Sequence, residues 1–567
     1  MAVNTVSGNL ITRTYRDFRG VDFSNRKDEV SLYHSPDALN MWKNYKNTNG
    51  KAIETRPDIE LLKEFSETIY GLFFYTANGR KYRIVHAGTN LYKDDEVICT
   101  KMAAHKSNFF VMNNNLYILD GTSYLVYDGK EVKEVEGFIP TTTISRTPSG
   151  GGTVFEDVNL LTNIRKNSFV ADGTSKEYML DATDLDNTTV KAWVNDKEVT
   201  DFTVDYASGK IKFKTAPTEP NTVGQDNVII QFSKTKEGYR KRIENCTLVE
   251  VFDNRVFFSG NPNYPNFLWH CSLDDPSYCS DLDYYTEGVN DSKIKALISG
   301  NNALWVMKEP SQSNTTIFYH TPTVDADYGK VYPSSHSSIN TGCVATGINF
   351  NDDICFFSDR GMEAISGDVT TEQVIAHRSS LIDGRLLNEA NYKDMQLIEY
   401  EGYLLVIVGS KIYLADSRQM ITINDHNEYE WFYWDLGTNI TATRVDNGVL
   451  YLCGDKKVYT LTNKSDTRQV EAYWCTVADE FKYPHYQKIT NKKGCVADLE
   501  GSQVTISVRT DNNNFELTDT FLNVKGYIVP RIKKKKWKMI QLKFSSVKPF
   551  SLYSCSLESY IGSYVKR

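Results

Sequence analysis

The sequence predicts an all-β protein: a β-propeller of roughly four-stranded blades, with an inserted small β-sandwich and a C-terminal β-sandwich. Three observations predict it. A polar turn between two strand-like runs recurs along the chain at a nearly constant step. One step is far too long and holds alternating strands of another kind. The composition is rich in Tyr and Phe, at 35 and 27, and poor in Pro, at 15, which favours strands over helices.

The recurring unit reads as NFFVMNNNLYILDG, LVEVFDNRVFFSG, KALISGNNALWVM, GINFNDDICFFSDRG, LIEYEGYLLVIVG and TRVDNGVLYLCGD. In each, β-branched and aromatic residues flank an Asn, Asp or Gly pair, the chemistry of a hairpin turn. Marked at Asn254, Asn301, Asp352, Gly402 and Asn447, the steps are 47, 51, 50 and 45 residues. Four-stranded units repeating at about 40–50 residues are the pattern of propeller blades. Helical solenoids need a 3.6-residue period, which these runs lack. Trp434-Asp435 has no matching Gly-His, which excludes a WD40 chain, and Ser358-Asp359-Arg360-Gly361 only grazes the Asp-box of sialidases.

The step from Asn114 to Asn254 is 140 residues, and the excess sits in SFVADGTSKEYML, VKAWVNDKEV, DFTVDYASGKIKFKTAPTEP and NVIIQFSKT. Alternating strands with Asn195-Asp196 and Ser208-Gly209 as turns predict a small β-sandwich. Upstream, the glycines of TPSGGGTVFED predict a flexible loop. After about residue 468 the repeat stops, and further alternating runs predict the C-terminal sandwich. Ser35 as N-cap, Pro36 at the first helical position and Gly50 past the end predict one short helix in the polar N-terminal stretch. The resulting division is 1–55 as an extended segment, 56–165 as the first blades, 166–236 as the inserted sandwich, 237–467 as the remaining blades and 468–567 as the C-terminal sandwich. A chain of 567 residues exceeds what one core supports, in line with several domains.

Chemistry-bearing motifs are sparse. Ten cysteines stand singly without a CxxC and mostly within strand-like runs, which predicts buried apolar side chains over zinc ligands or disulfides. The nine histidines show no metal-ligand spacing, and GxxxxGK[ST] and GxSxG are absent. No catalytic, cofactor-binding or metal-binding residue is therefore expected, nor any cofactor. The densest carboxylates are Asp274, Asp275, Asp281, Asp283 and Glu287. A pair at the right separation could hydrolyse a glycosidic bond, but the segment reads better as a solvated or subunit-contacting loop. NDDI at 351–354 reads as a blade turn rather than a calcium loop.

Net charge is −8, which argues against general nucleic-acid affinity. The sharpest basic feature, Arg531 to Lys538, could face phosphates or an acidic patch on a neighbouring subunit, or be an edge strand guarded by lysines. The opening MAVNTVSGNL lacks the basic and apolar regions of a signal peptide, which predicts a chain kept in a cytoplasm. No apolar run is long enough to span a membrane.

Several segments, in their order, carry a resemblance: Gly20 to Ser24, Ser35 to Trp42, Gly50 to Pro57, Pro140-Thr141, Asn159 to Thr162 and Phe169 to Pro217. Together they resemble virion proteins of tailed bacteriophages, most of all the tail hub or nozzle proteins (stabilisation or tail accessory proteins) of short-tailed phages. The resemblance implies a homohexameric ring below the portal and adaptor. Such a ring extends the DNA channel, touches the genome transiently, helps retain it and connects to distal tail parts. It would be assembled in the bacterial cytoplasm and reside in the virion tail. The expected function is thus structural and not enzymatic. The alternative is a carbohydrate-binding or glycoside-hydrolysing β-propeller tail protein, in which Tyr429 to Trp434 stack on sugars instead of filling the space between blades.

Overall fold

The structure is a computed structural model that describes residues 10–48, 50–312, 315–326, 329–337, 341–366, 374–423, 426–463, 469–533 and 535–564. The chain is all-β; among the described residues helices are confined to short turns such as Tyr239–Glu244 and Asp383–Leu386. It divides into two units, one of residues 1–72 and 343–567, the other of residues 73–342.

Among the described residues, seven four-stranded antiparallel meanders run along the chain, spanning 69–99, 108–134, 248–286, 294–336, 347–377, 396–435 and 442–462. Each has the strand content of a propeller blade. The seventh takes its fourth strand, Asp58–Glu64, from the N-terminal part of the chain. All seven open with a two-residue hairpin, and the sequence markers fall in six of them. The pairs are Asn78-Gly79, Asn113-Asn114, Asp253-Asn254, Asn301-Asn302, Asn351-Asp352, Glu401-Gly402 and Asn447-Gly448. Both residues of every pair have φ between 47° and 76°. That is the type I′ turn, whose twist matches the flanking strands and whose left-handed φ selects Asn, Asp and Gly. Glu401 is the one poor fit to that selection.

The inserted module is a β-sandwich. One sheet contains Thr141–Arg146, Ile164–Phe169, Val228–Ser233 and Lys191–Val194; the other contains Glu177–Met179, Lys210–Phe213 and Phe202–Asp205. Phe169, Tyr178, Ile211, Phe213, Val228 and Ile230 fill the space between them. The module begins near 141 rather than 166. The expected flexible loop at 147–157 is instead a hairpin, in which Thr153–Val154 pairs with Thr143-Ile144.

The N-terminal segment corrects two expectations. No helix forms over 36–48: Ala38–Leu39 pairs with Tyr473-Trp474, and Met41–Trp42 pairs with Glu54-Thr55. Ser35 Oγ donates to the Asp37 carbonyl instead of capping a helix (2.8 Å), and Asn40 takes a left-handed φ of 56°. Apolar contacts on two sides of the chain outweigh the local capping signal. Nor is 10–55 a detached extension, since Leu10–Tyr15 pairs with Cys555 to Tyr560.

The C-terminal strands likewise do not form a separate sandwich. They join one large sheet in the order Ala38–Leu39, Ala472–Cys475, Ile540–Ser546, Tyr486–Thr510, Phe550–Tyr564, Ile53–Thr55, Met41–Trp42 and then the sixth meander from His426–Asp435 outward. The two short N-terminal strands are the bridge. A single core therefore serves both parts, with Trp431, Trp434, Trp474 and Trp537 fully buried; burial of each stabilises by roughly 1.5–3 kcal/mol or more. The expected boundary at 467/468, the first nine residues and Lys534 lie outside the described residues.

Candidate functional site

The five loop carboxylates do not converge on one site. Asp274 sits in a turn at φ 55°. Asp275 accepts the Ser277 N–H and hydroxyl (2.9 and 2.6 Å). Asp281 pairs with Lys236 (3.2 Å) and accepts from Tyr239. Burial pushes the Asp283 carboxyl up, while Arg255 pulls it down. Glu287 is fully buried, 3.0 Å from His320 Nε2, and accepts from Ser334 (2.7 Å). Asp275, Asp281 and Glu287 each have a structural partner of their own. Among the described residues no group of three potential metal ligands occurs.

Tyr429, Trp431, Phe432, Tyr433 and Trp434 are all buried, so this run supplies core and no sugar platform. In the basic run, Ile532 and Trp537 point inward while Arg531, Lys533, Lys535, Lys536 and Lys538 are exposed. Lys535 pairs with Glu516 (2.6 Å), and Lys536–Trp537 pairs with Lys488-Ile489. The ten cysteines are free and nine are buried.

His377 lies between two carboxylates, with Nε2 2.6 Å from Asp383 and Nδ1 3.4 Å from Glu363. Burial lowers its pKa, but hydrogen bonds and charge from Asp383 and Glu363 prevail and hold it at about 10. A folded-state pKa raised above the unfolded value of 6.5 gives stability that is complete below that unfolded value. It is lost as pH rises through the folded one. His377→Gln is thus expected to destabilise most near pH 6 and least above about pH 10. Urea unfolding midpoints of both proteins across that range check this; a constant difference contradicts it.

A cleft of about 740 Å³ opens in the large sheet, within the range of ligand sites. Its lining includes Trp42, Glu54, Tyr400, Glu401, Glu500 and Tyr553. The pairing register explains its floor. Trp42 lies opposite Glu54, Glu54 opposite Ser551, and Ser551 opposite Glu500. Directly opposed residues of antiparallel strands share a face, so these four form one row across the sheet. With strands about 4.8 Å apart, the Glu54 and Glu500 backbones stand about 10 Å apart.

Residues of 43–48 build one wall. Asn44 Oδ1 accepts the Lys46 and Asn47 N–H groups (3.1 and 3.3 Å). The Asn44 and Asn47 amides both donate to the Glu54 carboxylate at 2.7 Å. Lys46 reaches across to Glu401 (2.5 Å). Gly50, at φ 71°, leaves room for the Tyr45 ring, which a Cβ there would meet at 2.6 Å.

The aromatic residues divide by exposure. Trp42 is 4% exposed and packs edge-on against Trp434, with its indole N–H unpaired among the described residues. Tyr400 and Tyr553 are half-buried and present in the cleft. Burial and then Glu401 push the Tyr400 phenol up to about 12. Burial followed by Glu500, Glu54 and Asp498 raises that of Tyr553. Both phenols therefore stay protonated and can donate. The cleft combines carboxylate and amide acceptors, amide and phenol donors, and two aromatic side chains. Sequence reading missed it because its row joins strands up to some 500 positions apart. The only local trace is the alternation in 496–501 and 550–554.

The chain matches no protein-family model and no curated protein. Among solved structures, it is similar to BamB from Moraxella catarrhalis, at 10% identity and TM-score 0.32 over 72% of this chain and 98% of that one. An exo-β-1,3-galactanase from Phanerochaete chrysosporium matches at 10% identity and TM-score 0.22, over 55% and 95%. A structure named glycoside hydrolase matches at 8% identity and TM-score 0.21, over 86% and 98%. Because enzymes stand among these similar structures, the expectation that the chain is not an enzyme does not hold. A likeness this distant assigns no reaction, since one fold hosts many functions.

Proposed function

We propose that the protein binds carbohydrate in the cleft on its large sheet. The observation that carries this reading is the row Trp42–Glu54–Ser551–Glu500 in one cleft with Tyr400 and Tyr553. A sugar offers vicinal hydroxyls on its edge and C–H groups on its faces. Fixed carboxylates and amides complement the first, and aromatic rings the second. The side chains are held in place beforehand, as Asn44 and Asn47 fix Glu54, which limits the ordering cost of binding.

A glycan array with the purified chain tests this. Binding of at least one oligosaccharide is expected, with Tyr553→Ala weakening it by about tenfold or more, since a lost aromatic contact and hydrogen bond amount to about 1.4 kcal/mol or above. Incubation of the bound glycan followed by product analysis separates recognition from hydrolysis. No binding, or binding unchanged in Tyr553→Ala, defeats the reading.

A second reading is supported by where the phage-like segments fall. Gly20 to Ser24 and Ser35 to Trp42 are the stretches that fasten the N-terminal part to Trp431, Tyr433 and Trp474. On this reading the chain is a tail hub or nozzle component of a short-tailed phage. It would form a hexameric ring, meet portal, adaptor and distal tail proteins, and line the DNA path in the virion. Sugar recognition and tail assembly are compatible in one tail protein. Mass spectrometry of purified particles tests the second; absence of the chain from virions overturns it.

A further inference from the structure

Apart from the cleft assigned to sugar, the unit of residues 1–72 and 343–567 holds an opening of about 450 Å³ lined by four charged side chains, Asp37, Arg385, Glu389 and Lys411. Two of them neutralise each other. Lys411 Nζ lies 2.5 Å from Glu389, whose other carboxylate oxygen accepts the Tyr413 hydroxyl (2.7 Å). Arg385 and Asp37 are left over. Among the described residues neither forms an ion pair, the Arg385 guanidinium donates no hydrogen bond, and the Asp37 carboxylate accepts only from the Tyr473 hydroxyl (2.9 Å). Arg385 is nevertheless held in place: the Phe23 and Tyr433 rings lie 4.4 and 4.6 Å from its guanidinium carbon. The Phe23 N–H donates to the Leu381 carbonyl (2.7 Å). Gly384 permits this approach, since a Cβ there would meet the Phe23 carbonyl oxygen at 2.8 Å.

We propose that this cleft binds a free amino acid, with Arg385 donating to its carboxylate and Asp37 accepting from its ammonium group. The charges of the lining decide between ligand classes. A simple anion at Arg385 would share the cleft with two carboxylates, and a simple cation at Asp37 would share it with Arg385 and Lys411; like charges set together cost affinity. A small zwitterion instead supplies one partner for each of the two charges that the protein leaves unpaired. The planar guanidinium fork matches a carboxylate in particular. A volume of about 450 Å³ is within the range of small-molecule sites. Aromatic contacts fix Arg385 and the Tyr473 hydroxyl fixes Asp37 before the ligand arrives, which limits the ordering cost of binding. The proposal stands independently of sugar recognition.

Thermal unfolding of the full chain with each of the common L-amino acids in turn tests the proposal. At least one is expected to raise the Tm increasingly with its concentration, because a ligand of the folded state stabilises it by mass action. Its amide, which lacks the carboxylate, and its N-acetyl form, which lacks the ammonium group, are each expected to bind about tenfold more weakly or worse. Arg385→Gln is expected to weaken the free amino acid by a similar factor and to lose the preference over the amide. Asp37→Asn is expected to weaken it likewise and to lose the preference over the N-acetyl form. Each variant is compared with its own melt without ligand, so a change in its stability does not hide the result. A Tm unmoved by any amino acid, blocked forms that bind as well as the free one, or either variant binding like wild type would each overturn the proposal.

Discussion

Lys43→Met is expected to destabilise the protein by about 3–5 kcal/mol, the cost of breaking a buried ion pair from one side. Lys43 Nζ lies 2.6 Å from Glu430, and the two side chains are 4% and 1% exposed. The arrangement makes this lysine matter more than a lone pair would suggest. Glu430 is directly opposite Asp416 on the neighbouring strand. Each carboxylate has its own cation, Lys43 for Glu430 and Arg418 (2.8 Å) for Asp416. Without Lys43, the buried Glu430 faces Asp416 with only Arg19, 3.9 Å away, in partial compensation.

Burial already raises the Glu430 carboxyl, and Lys43 is the main group pulling it down. The variant should raise it further. A carboxyl raised in the folded state contributes stability at low pH that is lost as pH rises through its folded value. The deficit of Lys43→Met should therefore grow from acid towards neutral pH. Lys43→Met combined with Glu430→Gln should recover much of the loss, because the uncompensated charge is gone. Urea unfolding of the two variants measures both effects; equal destabilisation by the single and double variants contradicts this account.

Gly20→Ala is the second large effect, expected at about 3 kcal/mol or more. Gly20 has φ 96°, and a Cβ there would lie 2.0 Å from the Trp431 carbonyl oxygen. That same carbonyl accepts the Val21 N–H at 2.7 Å, and the Gly20 carbonyl accepts from Ser35 at 2.9 Å. Relief of the clash requires the N-terminal segment to lift away, taking these hydrogen bonds and the burial of Phe18 and Val21 with it. Gly79→Ala is the control. Gly79 has φ 74° but open space around its Cβ position, so only the left-handed strain of about 1–2 kcal/mol remains. Chemical unfolding of the pair separates close approach from backbone strain; equal losses contradict the role given to Trp431.

The hairpins were legible because a type I′ turn imposes its residue types locally: Asn301-Asn302 or Asn351-Asp352 can be read without knowing what they pack against. The inserted sandwich was legible for the same reason, through Asn195-Asp196. Ser35 and Pro36 misled because capping signals are local too, while the pairing of Ala38–Leu39 with Tyr473-Trp474 is not. The unity of the C-terminal strands with the sixth meander depends on two N-terminal strands of two and three residues, Met41–Trp42 and Ile53–Thr55, too short to carry a periodic signal. The cleft was hidden by the same long-range pairing. Its acidic residues, Glu54 and Glu500, stand alone in sequence, whereas the run at 274–287 looked dense and proved dispersed among separate partners.

The most direct test of sugar recognition is a crystal structure of the full chain with the oligosaccharide bound most tightly on the array. The account predicts density for sugar rings over Tyr400 and Tyr553, with hydroxyls within hydrogen-bonding distance of Glu54 and Glu500. An empty cleft with the sugar bound elsewhere on the chain would contradict it.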